Sequence, residues 1–338
     1  MLKSLFSALS PAGRRARLSI LILHRVLAAP DPLFPNEIDA RRFDAICDWL
    51  RSWFNVLPLD AAVRGLRAES LPERALSITF DDGYADNRTV ALPILQRHRL
   101  SATIFVATGY LDGGCMWNDI LVEAVRRSPQ SRLPLQELGL PALVSMPIES
   151  PAQKRAVIDA LIRSSMYLPH DQRTALAKRL AELAGVEPST DLMMSSTQVV
   201  ELHRAGMQIG AHTVSHPILA QLDAIAVRAE VVESKRRLEG LIGERVGLFA
   251  YPNGRPETDF SAATLGVVRA AGFDAAMSTA WGCADARTDL FQLPRFTPWD
   301  RSRLRFGARL AGNLMASRRR PPRMVEHSAG SGDGLRAH

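Results

Sequence analysis

Short runs of apolar and β-branched residues recur along the chain and alternate with longer segments of helical spacing. Strands that alternate with helices are typical of parallel sheets with crossover helices. The predicted strands are RLSILIL, NVLPL, ALSITF, ATIFV, MQIGA, GLFAY, DAAMS and LFQLPR. Seven or eight such units favour an α/β barrel over an open sheet.

One long segment departs from this alternation. Between Gly109 and Ser195 the pattern predicts no strand, but it predicts three helices, near residues 118–127, 151–166 and 171–183. We therefore expect a helical insertion at about 111–194, over the mouth or the flank of the barrel. The predicted organisation is an N-terminal segment 1–17, one catalytic domain 18–300, and a basic C-terminal helix followed by a disordered tail in 301–338.

The net charge of +7 lies in the C-terminal segment. Residues 301–338 contain nine arginines and two acidic residues, so residues 1–300 are formally neutral. Nucleic-acid binding is therefore not indicated. Arg318, Arg319 and Arg320 leave weak contact with an anionic membrane surface as an alternative to a merely solvated tail.

Compartment signals are few. The three cysteines lie far apart without CxxC spacing, which indicates neither a disulfide framework nor a cysteine zinc site. Arg14, Arg15 and Arg17 interrupt the N-terminal apolar residues, so LSILIL is interpreted as a strand and not as part of a signal peptide. No apolar run approaches the roughly 18 residues of a membrane span. We expect a cytoplasmic protein or one at the inner face of the cytoplasmic membrane.

Three motifs follow predicted strands, and the carboxyl ends of parallel strands form the active-site face of such folds. Asp81 and Asp82 end ALSITF in the stretch SITFDDGYADN, and His212 and His216 follow MQIG in AHTVSHP. Two imidazoles with one carboxylate suit a metal that keeps positions open for water and substrate. The turn FAYPNG supplies backbone N–H groups near Asn253 that can receive negative charge.

TFDDGYADN, HTVSH and FAYPNG, in this order, resemble the motifs of polysaccharide deacetylases with the NodB-homology domain, also called carbohydrate esterase family four. The resemblance covers roughly residues 18–300. It implies a distorted (β/α) barrel of about seven units and a divalent metal, commonly zinc, with cobalt or nickel as alternatives. By position, Asp82, His212 and His216 become the metal ligands and Asp81 the catalytic base.

The resemblance also implies the reaction, which is removal of acetyl groups from N-acetylated amino sugars of a polysaccharide or glycan precursor. A bound metal lowers the pKa of a coordinated water and polarises the acetyl carbonyl. Asp81 then accepts the proton of the attacking water, and a backbone N–H near Asn253 helps to hold the oxyanion.

The sequence departs from the usual family pattern at two points. No Leu-x-His strand follows LFQLPR, but LILHRV places His24 at the end of the first predicted strand. This arrangement resembles the branch of biofilm poly-N-acetylglucosamine deacetylases and makes His24 the candidate general acid. The Arg-Pro-Pro of the third motif is also absent, and Arg295 is the candidate partner of Asp81, with a rim salt bridge as the alternative.

The candidate substrate-binding residues are Tyr84, Tyr251, Trp117 and Asp119. For Trp117 and Asp119, in MWND, a helix start with a buried tryptophan is an equal alternative. Two other functions stay open at this stage: a glycan-binding pseudoenzyme and an esterase that removes O-acetyl groups.

Overall fold

The computed structural model describes residues 2–140 and 144–316, and its centre is a nearly closed barrel of seven parallel strands. The order of the strands around the barrel follows their order in the chain. They are β1 Leu18–Leu23, β2 Ala75–Phe80, β3 Thr103–Val106, β4 Gln208–Ala211, β5 Leu248–Ala250, β6 Ala275–Trp281 and β7 Leu293–Arg295. The prediction of a seven-unit α/β barrel is confirmed.

The barrel closes between its first and last strands. Phe296, directly after β7, donates its N–H to the Ile20 carbonyl at 2.7 Å, and its carbonyl accepts from the Ile22 N–H at 3.0 Å. A short strand, Asn55–Val56, pairs with the beginning of β2, whereas β3 pairs with its end. NVLPL is therefore a strand for only two of its five residues.

The strands form where the chain can bury both faces. Every residue of β1 and β2 is buried, as expected for parallel strands covered on both sides. The Phe105 ring of β3 lies in the barrel interior next to Gly210 of β4. A Cβ atom added at Gly210 would lie only 2.4 Å from this ring. Glycine at this position thus makes room for the central aromatic side chain.

Eleven α-helices lie in the described part of the chain. They are α1 Leu2–Leu9, α2 Ala40–Trp53, α3 Leu59–Arg67, α4 Leu92–His98, α5 Trp117–Arg127, α6 Pro151–Ser165, α7 His170–Ala184, α8 Ser196–Arg204, α9 Ala224–Ile242, α10 Ala262–Ala270 and α11 Arg303–Ala316. Side-chain caps fix several starts, including Asp39 on α2 and Asp223 on α9. A large core cluster lies between these helices and the outer faces of the strands.

Helices α5, α6 and α7 lie between β3 and β4 and have a hydrophobic cluster of their own. Their bounds lie within one residue of the predicted ones. The prediction that this segment contains no strand was wrong, because Arg132–Pro134 and Ser145–Pro147 form a small antiparallel pair. Three residues a side, with a proline in each, are too few for an alternating pattern to be visible.

The two ends of the described chain pack against each other and against the barrel. Phe6 of α1 is fully buried against Trp53 and Phe54, and the Arg17 guanidinium donates to the Leu314 carbonyl of α11. The predicted disordered tail, residues 317–338, lies outside the described residues. Within 2–140 and 144–316, no helix combines the length and the apolar character that a membrane crossing requires.

Candidate active site

The loops after β2, β4 and β5 meet at the carboxyl end of the barrel. Asp81 and Asp82 follow β2, His212 follows β4 directly, and His216 lies four residues further on. Backbone hydrogen bonds join neighbouring loops, since the Ala107 N–H donates to the Asp82 carbonyl and the His212 N–H donates to the Val106 carbonyl. Strand order alone thus brings the acidic and the histidine motifs together.

Asp82, His212 and His216 form a cluster whose ligand atoms all lie within 4.8 Å of one another. One oxygen of Asp82, Oδ1, lies 3.3 Å from Nε2 of His212 and 3.4 Å from Nε2 of His216. Ligands about 2.0–2.1 Å from a tetrahedral zinc stand about 3.3 Å apart. Since Oδ1 is buried and has no hydrogen-bond partner among the described residues, the three atoms fit a shared divalent cation.

The orientation of His212 suits metal binding. Its Nδ1 lies 2.7 Å from the Ala250 carbonyl oxygen, which can only accept a hydrogen bond, so Nδ1 carries the proton. Nε2 therefore presents its lone pair toward Asp82. A backbone carbonyl behind the ring is the usual support of a metal-binding imidazole.

The electrostatics of the cluster reflect the attraction between its carboxylate and its two imidazoles. Burial would lower the pKa of His212, but Asp82 and Asp81 raise it above its ordinary value in the metal-free protein. Burial would raise the pKa of Asp82, but His212 and His216 together hold it well below its ordinary value. Burial, only partly offset by the charge of Asp82, lowers the pKa of His216 to about 4. At neutral pH His216 is therefore a neutral imidazole, which is the form that binds a metal.

The backbone is strained at the site. Asp82, Thr213, His216 and Asn253 have φ values of +76°, +65°, +53° and +58°, in the left-handed region that residues with a Cβ seldom adopt. Such strain costs on the order of 1–3 kcal/mol per residue and concentrates at functional sites. Nothing in the residue pattern indicated it.

Glu230 of α9 holds the histidine loop in this conformation, and sequence reasoning missed it. Its Oε2 accepts the N–H groups of Val214 and Ser215 at 2.8 and 2.9 Å, and its Oε1 accepts the Ser215 hydroxyl at 2.7 Å. The Thr213 hydroxyl oxygen accepts the His216 N–H at 3.1 Å. In the sequence Glu230 is one acid among the many charges of α9, so no signal distinguished it.

Arg295, at the end of β7, contacts both carboxylate oxygens of Asp81 at 2.7 Å. Its remaining donors reach the Ser278 carbonyl at 2.9 Å and the Thr79 hydroxyl at 3.3 Å. Burial would raise the pKa of Asp81, but the Arg295 guanidinium, with His212, holds it below the ordinary value. Arg295 is only 1% exposed, so this contact is a buried bidentate pair and not a rim salt bridge.

His24 follows β1 and is exposed. The Asp81 N–H donates to the carbonyl of Leu23 at 2.9 Å, which places His24 beside the two aspartates. The charge of protonated His24 contributes to lowering the pKa values of both Asp81 and Asp82. Asn87 fixes the backbone here, because its side-chain amide donates to the His24 carbonyl at 2.9 Å.

Tyr84 and Asp119 form a hydrogen-bonded pair that interacts with the charge of Asp82, and Trp117 packs in the hydrophobic cluster of α5, α6 and α7. The Tyr84 hydroxyl donates to the Asp119 carboxylate at 3.0 Å, and the side chains of Tyr84, Asp119 and Trp117 are each less than a tenth exposed. Burial, together with the negative charge of Asp82, raises the pKa of Asp119 to about 7. Arg25 lies 4.9 Å from the centre of the Tyr84 ring and supports it from one side.

The residues of FAYPNG separate into core and rim. The interpretation of Tyr251 as a substrate-binding side chain is wrong, because it is fully buried, stacks on Phe260 and donates its hydroxyl to the Phe291 carbonyl. Asn253 is exposed at the turn, and its N–H donates no hydrogen bond within the described residues.

Trp281 is a second rim residue that the sequence did not reveal. It ends β6 and is 54% exposed, and Thr279, two residues earlier, donates to the Asn253 carbonyl at 2.7 Å. The predicted strand DAAMS ended before it. An exposed aromatic ring at the mouth of the barrel is a candidate surface for a sugar ring.

The barrel and the site fit one class of protein, and the chain belongs to the polysaccharide deacetylase family. The family model matches residues 68–132 and 176–276. The part left between these two matches contains the short antiparallel pair and α6. Family membership supports deacetylation of a polysaccharide as the activity.

Individual relatives are distant. A Bacillus subtilis protein, YxkH, with a provisional description as a polysaccharide deacetylase, is 20% identical over 291 residues, which is 86% of this chain and 74% of YxkH. The deacetylase PplD of Streptococcus pyogenes is 19% identical with a TM-score of 0.56, covering 83% of this chain and 92% of PplD. IcaB from Ammonifex degensii is 18% identical with a TM-score of 0.56, covering 90% and 98%. At this identity the structures show the shared fold.

Proposed function

We propose that the protein is a metal-dependent deacetylase that removes acetyl groups from N-acetylated amino sugars of a polysaccharide or glycan precursor. The observation that carries the proposal is the Asp82 oxygen placed 3.3 and 3.4 Å from two imidazole nitrogens, one residue away from a buried, arginine-paired Asp81. Zinc is the metal we expect, and N-acetylglucosamine the sugar type.

Asp82, His212 and His216 would hold the metal, which supplies a coordinated water of lowered pKa and a positive charge facing the acetyl carbonyl. Asp81 stays ionised at neutral pH and accepts the proton of the attacking water. Its two oxygens are oriented by Arg295, so the carboxylate is fixed before the substrate arrives.

Three further residues have roles in this proposal. The N–H of Asn253, which donates no hydrogen bond within the described residues, donates to the developing oxyanion. His24 is the general acid that protonates the leaving amine, since its backbone lies beside Asp81 and its ring is accessible. Trp281 supports a sugar ring at the rim.

The test is acetate release by the purified full chain, loaded with zinc, from N-acetylglucosamine oligomers, polymers and lipid-linked glycans. Asp82→Asn and His216→Ala are expected to lose both zinc binding and activity while the metal-free fold keeps its circular dichroism spectrum. His203→Ala is the matched control, because His203 lies on α8 and pairs only loosely with Glu244. If zinc-loaded protein releases no acetate from any of these substrates, the proposal is wrong.

Loss of His24 separates amide from ester hydrolysis. An alkoxide leaves with less help from an acid than an amine does, so His24→Ala is expected to impair N-deacetylation much more than O-deacetylation. Wild-type activity confined to O-acetyl substrates would identify the protein as a carbohydrate esterase. Glycan binding without release from either substrate would identify a pseudoenzyme.

A further inference from the structure

The two terminal segments that include the packed helices α1 and α11 contain basic residues and no acidic ones. Residues 1–17 contain four lysines and arginines and no acid, and residues 301–316 contain four arginines and no acid. Because residues 1–300 are formally neutral, residues 18–300 carry a net charge of −4. The positive charge is therefore segregated to the terminal segments.

The exposed side of α11 is apolar along its centre. Leu304 is 76% exposed and Met315 54%, and with Ala308 they occupy positions i, i+4 and i+11, which share one side of an α-helix. The opposite side, with Phe306, Leu310 and Leu314, is buried against the barrel. In neighbouring α1, Leu5 is 44% exposed although Phe6 next to it is fully buried.

Cations flank these apolar residues. Arg301 and Arg305 are exposed and form no ion pair with an acid in residues 2–140 or 144–316, although Arg301 donates to the Pro35 carbonyl and to the Asn36 side chain. Arg303 turns its guanidinium over the Trp53 ring, at 5.2 Å, and donates to the Ser52 hydroxyl at 3.3 Å. Exposed aliphatic side chains bordered by unpaired arginines are characteristic of helices that lie in a membrane interface.

We propose that the exposed side of α11, made by Leu304, Arg305, Ala308 and Met315 and called the terminal face, docks on an anionic lipid bilayer. Anionic headgroups attract the cations, and the aliphatic side chains enter the acyl boundary. An anionic glycan would satisfy the arginines but would give Leu304 and Met315 no apolar environment. The lipid surface is thus the partner that matches both features. This inference is independent of the chemistry proposed for the metal site.

The test is co-sedimentation of the full chain with vesicles of phosphatidylcholine mixed with phosphatidylglycerol, compared with vesicles of phosphatidylcholine alone. Binding is expected only to the anionic vesicles and is expected to weaken with added sodium chloride. Arg305→Gln is expected to reduce the partition coefficient about 5-fold, the factor that about 1 kcal/mol per arginine gives. Leu304→Asp is expected to reduce it further, because it places a carboxylate at the headgroups.

Ile225→Asp is the matched control, since Ile225 is 82% exposed on α9, outside the terminal face. It is expected to bind like the wild type. The circular dichroism spectrum is expected to be unchanged in Leu304→Asp, which shows that the barrel is intact.

Three outcomes would overturn the proposal. One is equal binding to neutral and anionic vesicles. Another is vesicle binding that is lost in the triple variant Arg318→Gln, Arg319→Gln, Arg320→Gln but unchanged in Leu304→Asp and in Arg305→Gln. The tail alone would then be the part that binds the vesicles. The third is a dimer in light scattering that Leu304→Asp dissociates, without vesicle binding, which would make a second copy of the chain the partner.

Discussion

Replacing Arg295 by methionine tests whether a buried cation holds Asp81 ready as a base. The substitution keeps an apolar stem but removes the contacts to both oxygens of Asp81, together with those to Ser278 and Thr79. Removing one partner of a buried pair destabilises a protein by about 3–5 kcal/mol, because the other charge is left without compensation. We expect a loss of that order in the free energy of unfolding, measured by urea denaturation at neutral pH.

A matched control is available on the surface. Arg245 also contacts both oxygens of its partner, Asp274, at 2.6 and 3.0 Å, but both side chains are about half exposed. Arg245→Met is therefore expected to cost no more than about 1 kcal/mol. Combining Arg295→Met with Asp81→Asn removes both buried charges, so the double variant should be more stable than Arg295→Met alone.

The pH dependence gives a second measurement of the same interaction. In the wild type, Asp81 has a lower pKa in the folded protein than in the unfolded chain. The pair therefore stabilises the fold fully at pH values above the unfolded-state pKa, and this stabilisation is lost as the pH falls through the folded-state pKa. Without Arg295, burial raises the pKa of Asp81, and the acid limb of kcat/KM should move to higher pH. An unmoved acid limb, with an unfolding free energy within about 1 kcal/mol of the wild type, would refute the reasoning.

Three further variants test other parts of the structure. Glu230→Ala should weaken zinc binding about 10- to 100-fold in a chelator competition, because the histidine loop loses its three hydrogen bonds to Glu230. Glu233→Ala, one turn away on α9, should leave zinc binding unchanged. Equal effects of the two variants would contradict the role of Glu230 in holding the loop. His24→Ala should lower kcat for N-acetyl substrates by about 10²–10⁴, and an unchanged kcat would exclude it as the acid. Phe6→Ala should destabilise the fold by about 3–5 kcal/mol in thermal or urea unfolding, and a loss below about 1 kcal/mol would show that α1 is dispensable.

The strands and the meeting of the motifs were predictable from the residue pattern. ALSITF was predicted to the residue, because all six of its side chains are buried and the run stands out against its neighbours. Parallel strands carry their following loops to one end, which is why Asp82 and His212 were expected to be close. The candidate partner Arg295 was found by the same rule.

Other features depend on three-dimensional context. Tyr251 carries a polar hydroxyl within the FAYPNG motif, and only the structure shows that its ring stacks on Phe260 and its hydroxyl donates to the Phe291 carbonyl inside the core. Glu230 acts on a loop some fifteen positions earlier in the chain, across a helix packing that no local pattern encodes. Asp82 has a positive φ, which aspartate adopts more often than most residues but which the residue pattern does not fix.

The hydrogen bonds of Phe296 to Ile20 and Ile22, which close the barrel, join the two ends of the domain. His24 lies at one side of this seam and Arg295 at the other, although 271 positions separate them in the chain. Asp82, His212 and His216, the proposed cation ligands, follow β2 and β4, and neither of these strands takes part in the seam. A nascent or partly unfolded chain with an open seam can therefore bring these three residues and His24 together before Arg295 orients Asp81, because His24 reaches the aspartates through the pairing of β1 with β2. Hydrolytic competence thus reports that the whole ring has formed, and we expect it to be the last property gained during folding and the first lost during unfolding.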